Sequence, residues 1–65
     1  MYNNLRAEMT RKNISSQEVG DLIGKSAKSV DDKISGRRDL LILELVEIRD
    51  KFFPDRSLEY LAERS

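Results

Sequence analysis

At 65 residues the chain can form one domain and no more, and a chain of this size buries only roughly 60% of the surface its unfolded form exposes, so its core must be economical. Cysteine and histidine are both absent, which excludes disulfides, thiolate or imidazole metal sites, and every nucleophilic arrangement that depends on a histidine base. Twelve basic and twelve acidic residues balance to zero but are unevenly placed: eight bases against five acids from Met1 to Arg38, and four against seven from Asp39 onward, or +3 and −3.

The opening Met1-Tyr2-Asn3-Asn4-Leu5-Arg6 has no apolar run of signal-peptide type, so a cytoplasmic protein is expected. No segment alternates strictly between apolar and polar, and apolar positions recur at spacings of three and four, which predicts an all-α fold. A first helix is expected over Asn4 to Lys12, with Leu5 and Met9 inward, Arg6, Arg11 and Lys12 outward, and Asn13 as its stop. Ser15-Ser16-Gln17-Glu18 reads as a capping box, so a second helix starts at Ser16, turns Val19, Leu22 and Ile23 inward and ends at Gly24. Ser26 can cap a third helix that places Ala27, Val30 and Ile34 on one face until Gly36. A fourth is expected from about Leu41 to Phe53, with Leu41, Leu45, Ile48 and Phe52 as its inner stripe, Ile42, Val46 and Phe53 widening it, and Glu44, Glu47 and Lys51 outside. Its apolar start, Leu40 to Val46, is interrupted by Glu44 and is far shorter than the roughly 20 residues of a membrane span. Pro54 stops it, and Ser57 can cap a fifth helix carrying Leu58 and Leu61 into the core.

Two short helices that meet steeply need a small residue at their crossing and a permissive one at their bend, and Gly20 and Gly24 supply these. In the twenty-residue frame from Ser16 to Ser35, Val19, Gly20, Ile23, Gly24 and Val30 take positions four, five, eight, nine and fifteen. With Leu5-Arg6-Ala7-Glu8 before the frame, Gln17-Glu18-Val19 inside it and Ile34-Ser35-Gly36-Arg37 closing it, the chain resembles the Cro/CI-type (XRE) phage-repressor helix-turn-helix family over nearly its whole length. Ile48-Arg49-Asp50-Lys51-Phe52-Phe53-Pro54-Asp55 and Leu58-Glu59-Tyr60-Leu61 are similar to prophage members of that family. The resemblance implies a compact five-helix, lambda-repressor-like DNA-binding domain and a transcriptional regulator whose recognition helix, about Ser26 to Ser35, enters the major groove. The family usually carries alanine where Gly20 stands and apolar residues where Lys25 and Lys33 stand. Ile34 is expected to make the contact Lys33 cannot, and Gly20→Ala to be tolerated.

With Ala27, Val30 and Ile34 inward, Lys28 and Asp32 face outward on the third helix, flanked by Ser29 and Ser35 as base or phosphate contacts. The resemblance implies base readout by Ala27 against a thymine methyl, by Lys28 to guanine acceptors and by Asp32 to a cytosine amino group. The plainer alternative is that Lys28 and Asp32 form an i,i+4 pair on a solvated helix. Phosphate contacts are expected from Ser16 and Gln17, where free helix amides favour anions, and from Lys25, Ser26, Arg37 and Arg38 around the third helix. The alternative for the arginine pair is a solvated loop.

Gly24-Lys25-Ser26 matches the end of a phosphate-binding P-loop, but Val19 stands where that loop needs glycine and no strand precedes it. With the carboxylates expected on outer helix faces and no cleft to perturb them, neither enzymatic activity, a cofactor nor a metal is expected. The expected partner is a double-stranded DNA operator bound by a homodimer, with Leu58, Tyr60 and Leu61 as interface candidates; closure of the monomer core is the competing role for Leu58 and Leu61. A rival of another class is a module of the same fold that binds a protein through its acidic C-terminal half, favoured by zero net charge and by Asp31 and Asp32.

Overall fold

The computed structural model describes residues 1–65 as five helices without a strand: α1 (Asn3–Arg11), α2 (Ser16–Ile23), α3 (Ala27–Ser35), α4 (Ile42–Phe52) and α5 (Leu58–Ala62). The all-α expectation holds, with the ends of α1 and α4 one residue from those read in the sequence. None of the helices is long and apolar enough to cross a membrane.

Local capping chemistry explains most of the boundaries. Asn13 adopts φ 56°, and behind it the Ile14 amide donates to the Met9 carbonyl at 2.8 Å and the Asn13 amide to that of Thr10 at 3.2 Å, closing α1 in a left-handed cap. The Ser15 hydroxyl accepts from the Glu18 amide at 3.1 Å while the Ser15 amide donates to the Glu18 carboxylate at 3.0 Å, so the capping box forms as read. Ser26 and Ser57 cap α3 and α5 through the Ser29 and Tyr60 amides, both at 3.1 Å. Gly24 and Gly36 close α2 and α3 at φ 73° and 94°, where a side chain would be strained. Helices α1 and α4 lack such a cap: Tyr2 stands at the N-cap of α1 and Leu41 at that of α4, where the missing acceptor forfeits ~1 kcal/mol relative to serine. Only the return bond forms there, from the Leu41 amide to Glu44 Oε1 at 3.0 Å.

The core consists of Tyr2, Leu5 and Met9 from the N-terminal segment, Val19, Val30 and Ile34 from α2 and α3, and Leu45, Ile48, Phe53 and Leu61 from the C-terminal part. Tyr2 joins it because the two residues before α1 dock on the end of α3, the Tyr2 amide donating to the Ile34 carbonyl at 2.9 Å. Ile23 and Phe52, expected as core, are only half-buried and pack against it. Phe53 takes the fully buried place: it lies one residue past the end of α4, with φ −134° and ψ 54°, so the backbone leaves helical periodicity and turns its ring inward.

The start of α4 departs most from its expected faces. Leu41, Ile42 and Leu43 are exposed, whereas Glu44, expected outside, is buried. Lys33 explains the exchange. It is buried on α3 beside Ile34, and its ammonium lies 3.1 Å from Glu44 Oε1 and donates to the Asp39 carbonyl at 3.0 Å. The position where the repressor resemblance implied an apolar contact therefore carries a buried ion pair that clamps α3 to the start of α4.

Where α2 runs into α3, Gly20 meets the chain of the following turn. A methyl built on Gly20 would overlap the Lys25 carbonyl oxygen and stand 3.3 Å from the Lys25 carbonyl carbon. The expectation that alanine is tolerated there is thus corrected, since backbone and not a movable side chain fills the space.

Helix α5 closes the molecule against α1. Leu61 is fully buried and Leu58, half-buried, packs on the core, so both contribute to closure of the monomer. The Tyr60 hydroxyl turns back to donate to Glu8 Oε2 at 3.0 Å.

Candidate nucleic-acid interface

The residues singled out on α3 and its flanks converge on one carboxylate. Asp32 is 8% exposed, a correction to its expected outward position. The chain after Gly36 folds back over it: the Arg37 and Arg38 amides both donate to the Asp32 carbonyl, at 2.8 and 3.1 Å, and the Ser35 hydroxyl donates to the same oxygen at 3.1 Å. The Asp32 carboxylate in turn lies 3.2 Å from Arg37 Nη1, 3.7 Å from Arg38 Nε and 3.6 Å from Lys28 Nζ. Burial by itself would raise the Asp32 carboxyl, but the Arg37 hydrogen bond and the Lys28 charge outweigh it and hold it below its ordinary value. One anion among three cations leaves an excess of two positive charges, and the Lys28, Arg37 and Arg38 side chains are 83%, 74% and 65% exposed. The i,i+4 pair considered for Lys28 and Asp32 forms, as one spoke of this cluster.

A groove of about 700 Å³ runs beside the cluster, between α1, the start of α2 and α3. It brings together Ser16, Ser35 and Arg37 of the expected contacts and adds Arg6 from α1. Arg6 was read in the sequence only as an outward residue of the first helix; unlike Arg37, it has no acidic partner. The Ser16 hydroxyl donates to Asp31, and Gln17 Nε2 donates to Asp21 at 2.9 Å, so both side chains are locally engaged while Gln17 stays exposed. Lys25 and Ser26 are exposed on the turn between α2 and α3, and Ala27 and Ser29 are half-buried in the first turn of α3.

A second polar cluster lies away from α3. Glu8 is 1% exposed, accepts from Tyr60 and Arg11, and lies 3.4 Å from Arg56 Nε. Burial pushes its carboxyl up, but the Tyr60 bond and the two arginines more than compensate; the bond to Glu8 in return raises the Tyr60 phenol. Glu44 is likewise lowered, its burial outweighed by the Leu41 amide and Lys33. The expectation that the carboxylates lie on outer faces thus fails for Glu8, Asp32 and Glu44, each buried by partners from another segment.

These three carboxyls bind protons less readily folded than unfolded, so they stabilise the fold above their ordinary values of 3.8 to 4.5, and that stabilisation is lost as pH falls through the lowered ones. The melting temperature is expected to hold between about pH 8 and 5.5 and to drop below about pH 4.5. Glu8→Gln, compared with the parent over the same series, is expected to shallow the acid limb; an unchanged limb would remove Glu8 from the account. Comparison of the chain with family models, with curated proteins and with solved structures returned no match.

Proposed function

We propose that this chain is a DNA-binding transcriptional regulator of the phage-repressor type, a lambda-repressor-like helix-turn-helix domain that binds an operator as a homodimer. The observation that carries this is the exposed cluster of Lys28, Arg37 and Arg38 around Asp32, at the outer side and end of α3. A short helix, a glycine turn at Gly24 and a second short helix capped by Ser26 supply the α2–α3 unit in which α3 serves as recognition helix. Ala27 and Lys28 stand in its first turn as base-reading residues, with Ser29 beside them and Ser35 at the far end of the helix. Arg37 and Arg38 act on phosphate from the chain after α3, and Ser16, Gln17, Lys25 and Ser26 from the start of α2 and the turn before α3. Asp32, held by its cations, acts by orienting the two arginines and not by reading a cytosine. This arrangement also eases the approach of a neutral chain to a polyanionic partner, because Asp32 is internally matched and the surplus positive charge around it faces outward, while Asp31 stays exposed and is held only by the Ser16 hydroxyl.

Titration of the protein with heterogeneous duplex DNA by fluorescence anisotropy tests this. Binding is expected to weaken with salt along a log-log slope of roughly −4 to −8, the value for a dimer with a few phosphate contacts per half-site. Arg37→Ala with Arg38→Ala should flatten the slope and leave sequence preference unchanged, whereas Lys28→Ala should relax one base position. A slope unaltered by the double substitution removes the arginines from the interface. Absence of DNA binding at low salt would favour the rival, a protein-binding module of the same fold, to which zero net charge points.

A further inference from the structure

A serine hydroxyl has one proton to give, and that of Ser16 goes to the Asp31 carboxylate, joining the start of α2 to α3. Gln17 beside it keeps a second amide hydrogen after its bond to Asp21, so of the two only Ser16 must lose a partner before it can meet a phosphate. Asp31 is exposed, and no cation stands within ion-pair distance of it. Arg6, equally unpaired, lines the same groove with Ser16, Asp31, Ser35 and Arg37. The groove therefore holds a cation with no anion, and an anion matched by one hydroxyl alone.

We propose that the Ser16–Asp31 contact is autoinhibitory: the Asp31 carboxylate fills an oxyanion site in this groove, and an incoming phosphate displaces it from Ser16. Carboxylate and phosphate oxygens offer a hydroxyl the same kind of anionic acceptor, so one can replace the other. The exchange moves one hydrogen bond and breaks no covalent bond. Once Asp31 is displaced, Arg6 and Arg37 supply the positive charge of the groove, that of Arg37 shared with Asp32 and that of Arg6 unshared. The ligand chemistry is common to a phosphodiester and to free phosphate; DNA as its source rests on the proposed function. Each phosphate contact at Ser16 then begins with the loss of a charge-assisted bond. Affinity is thereby held down for any duplex, and most of all for one that offers few other contacts.

The test is duplex DNA binding at low salt by the parent, Asp31→Asn, Ser16→Ala and the double variant, with Glu47→Gln as a control that makes the same charge change on α4. Asparagine nearly matches aspartate in shape, and neither substitution touches the Ser15 cap of α2, so the melting temperatures are expected to stay at the parent value. Asp31→Asn is expected to bind about five- to tenfold more tightly, the scale of one charge-assisted hydrogen bond. Most of that gain should vanish in the Ser16→Ala background, where no hydroxyl remains to be freed. A gain no larger than that of Glu47→Gln, or one that persists in full without Ser16, is plain charge repulsion and overturns the proposal. A lowered melting temperature with unchanged affinity also overturns it, since the contact would then be a structural brace. Titration of the same variants with inorganic phosphate, followed by the amide resonances of Arg6 and Ser16, repeats the comparison without DNA. A gain with DNA alone identifies the phosphodiester as the ligand. A gain with phosphate and no DNA binding by any variant faults the functional reading alone, and no gain with either overturns the proposal.

Discussion

Lys33→Met is expected to destabilise the domain by about 3–5 kcal/mol, because it strands the buried Glu44 carboxylate without its cation. For a domain of this length the whole stability is roughly 3–10 kcal/mol, so the loss is a large fraction of it and should shift the urea midpoint strongly downward. Glu44→Leu alone should cost a similar amount by stranding the Lys33 ammonium. The two together should recover most of the loss, since methionine and leucine can pack where the ions met and neither is left with an unpaired charge. Urea titrations of the four proteins measure the coupling directly. Additive losses in the double variant would mean that Lys33 and Glu44, 3.1 Å apart, do not act as a pair.

Gly20→Ala should destabilise the fold even though alanine is the better helix former. The propensity gain is roughly 1 kcal/mol, while overlap with the Lys25 backbone carbonyl requires α2 and the turn after it to separate, at a cost of about 1–3 kcal/mol and more if the turn is rigid. The balance falls on the side of loss because the obstacle is main chain. Gly20→Leu should not fold. An alanine variant as stable as the parent in thermal and urea melts would show that the chain between α2 and α3 yields easily, and would restore the spacing that the family resemblance implies.

The helix ends were legible because caps are local: Ser15 with Glu18, Ser26, Ser57, Gly24 and Gly36 each act within a few residues of where they stand. The inward carboxylates were not, because a helical wheel sends any charge outward unless its partner is known. Lys33 read alone is a departure from an apolar position, and Glu44 read alone is an outer residue; only the course of the chain from Gly36 to Leu41 brings their long side chains together. Phe53 escaped for a different reason, since periodicity has no meaning one residue beyond a helix end. Among the candidate contacts, Lys28, Arg37 and Arg38 were legible as exposed cations, but their convergence on Asp32 depends on the reversal of the chain at Gly36. A signal for it was present in the sequence, an acid in the last turn of a helix followed by glycine and two arginines. Arg6 had no such signal, because α1 reaches the groove only through the tertiary fold.

The five residues of α5 are too few to hold helical structure in isolation, so α5 exists only while docked on α1 and α4. Its partnership with α1 joins the two ends of the chain, whereas α2 and α3 meet across a short turn. Closing the long loop between α1 and α5 costs more chain entropy than pairing α2 with α3 across a short turn, so the α2–α3 pair is expected to form before the α1–α5 seam. The same order reversed governs fluctuations of the native state. Opening of this seam, which would bring Leu61 and the Glu8 cluster into water while α2 and α3 stay paired, is expected to show as amide exchange in α5 faster than in α2 and α3.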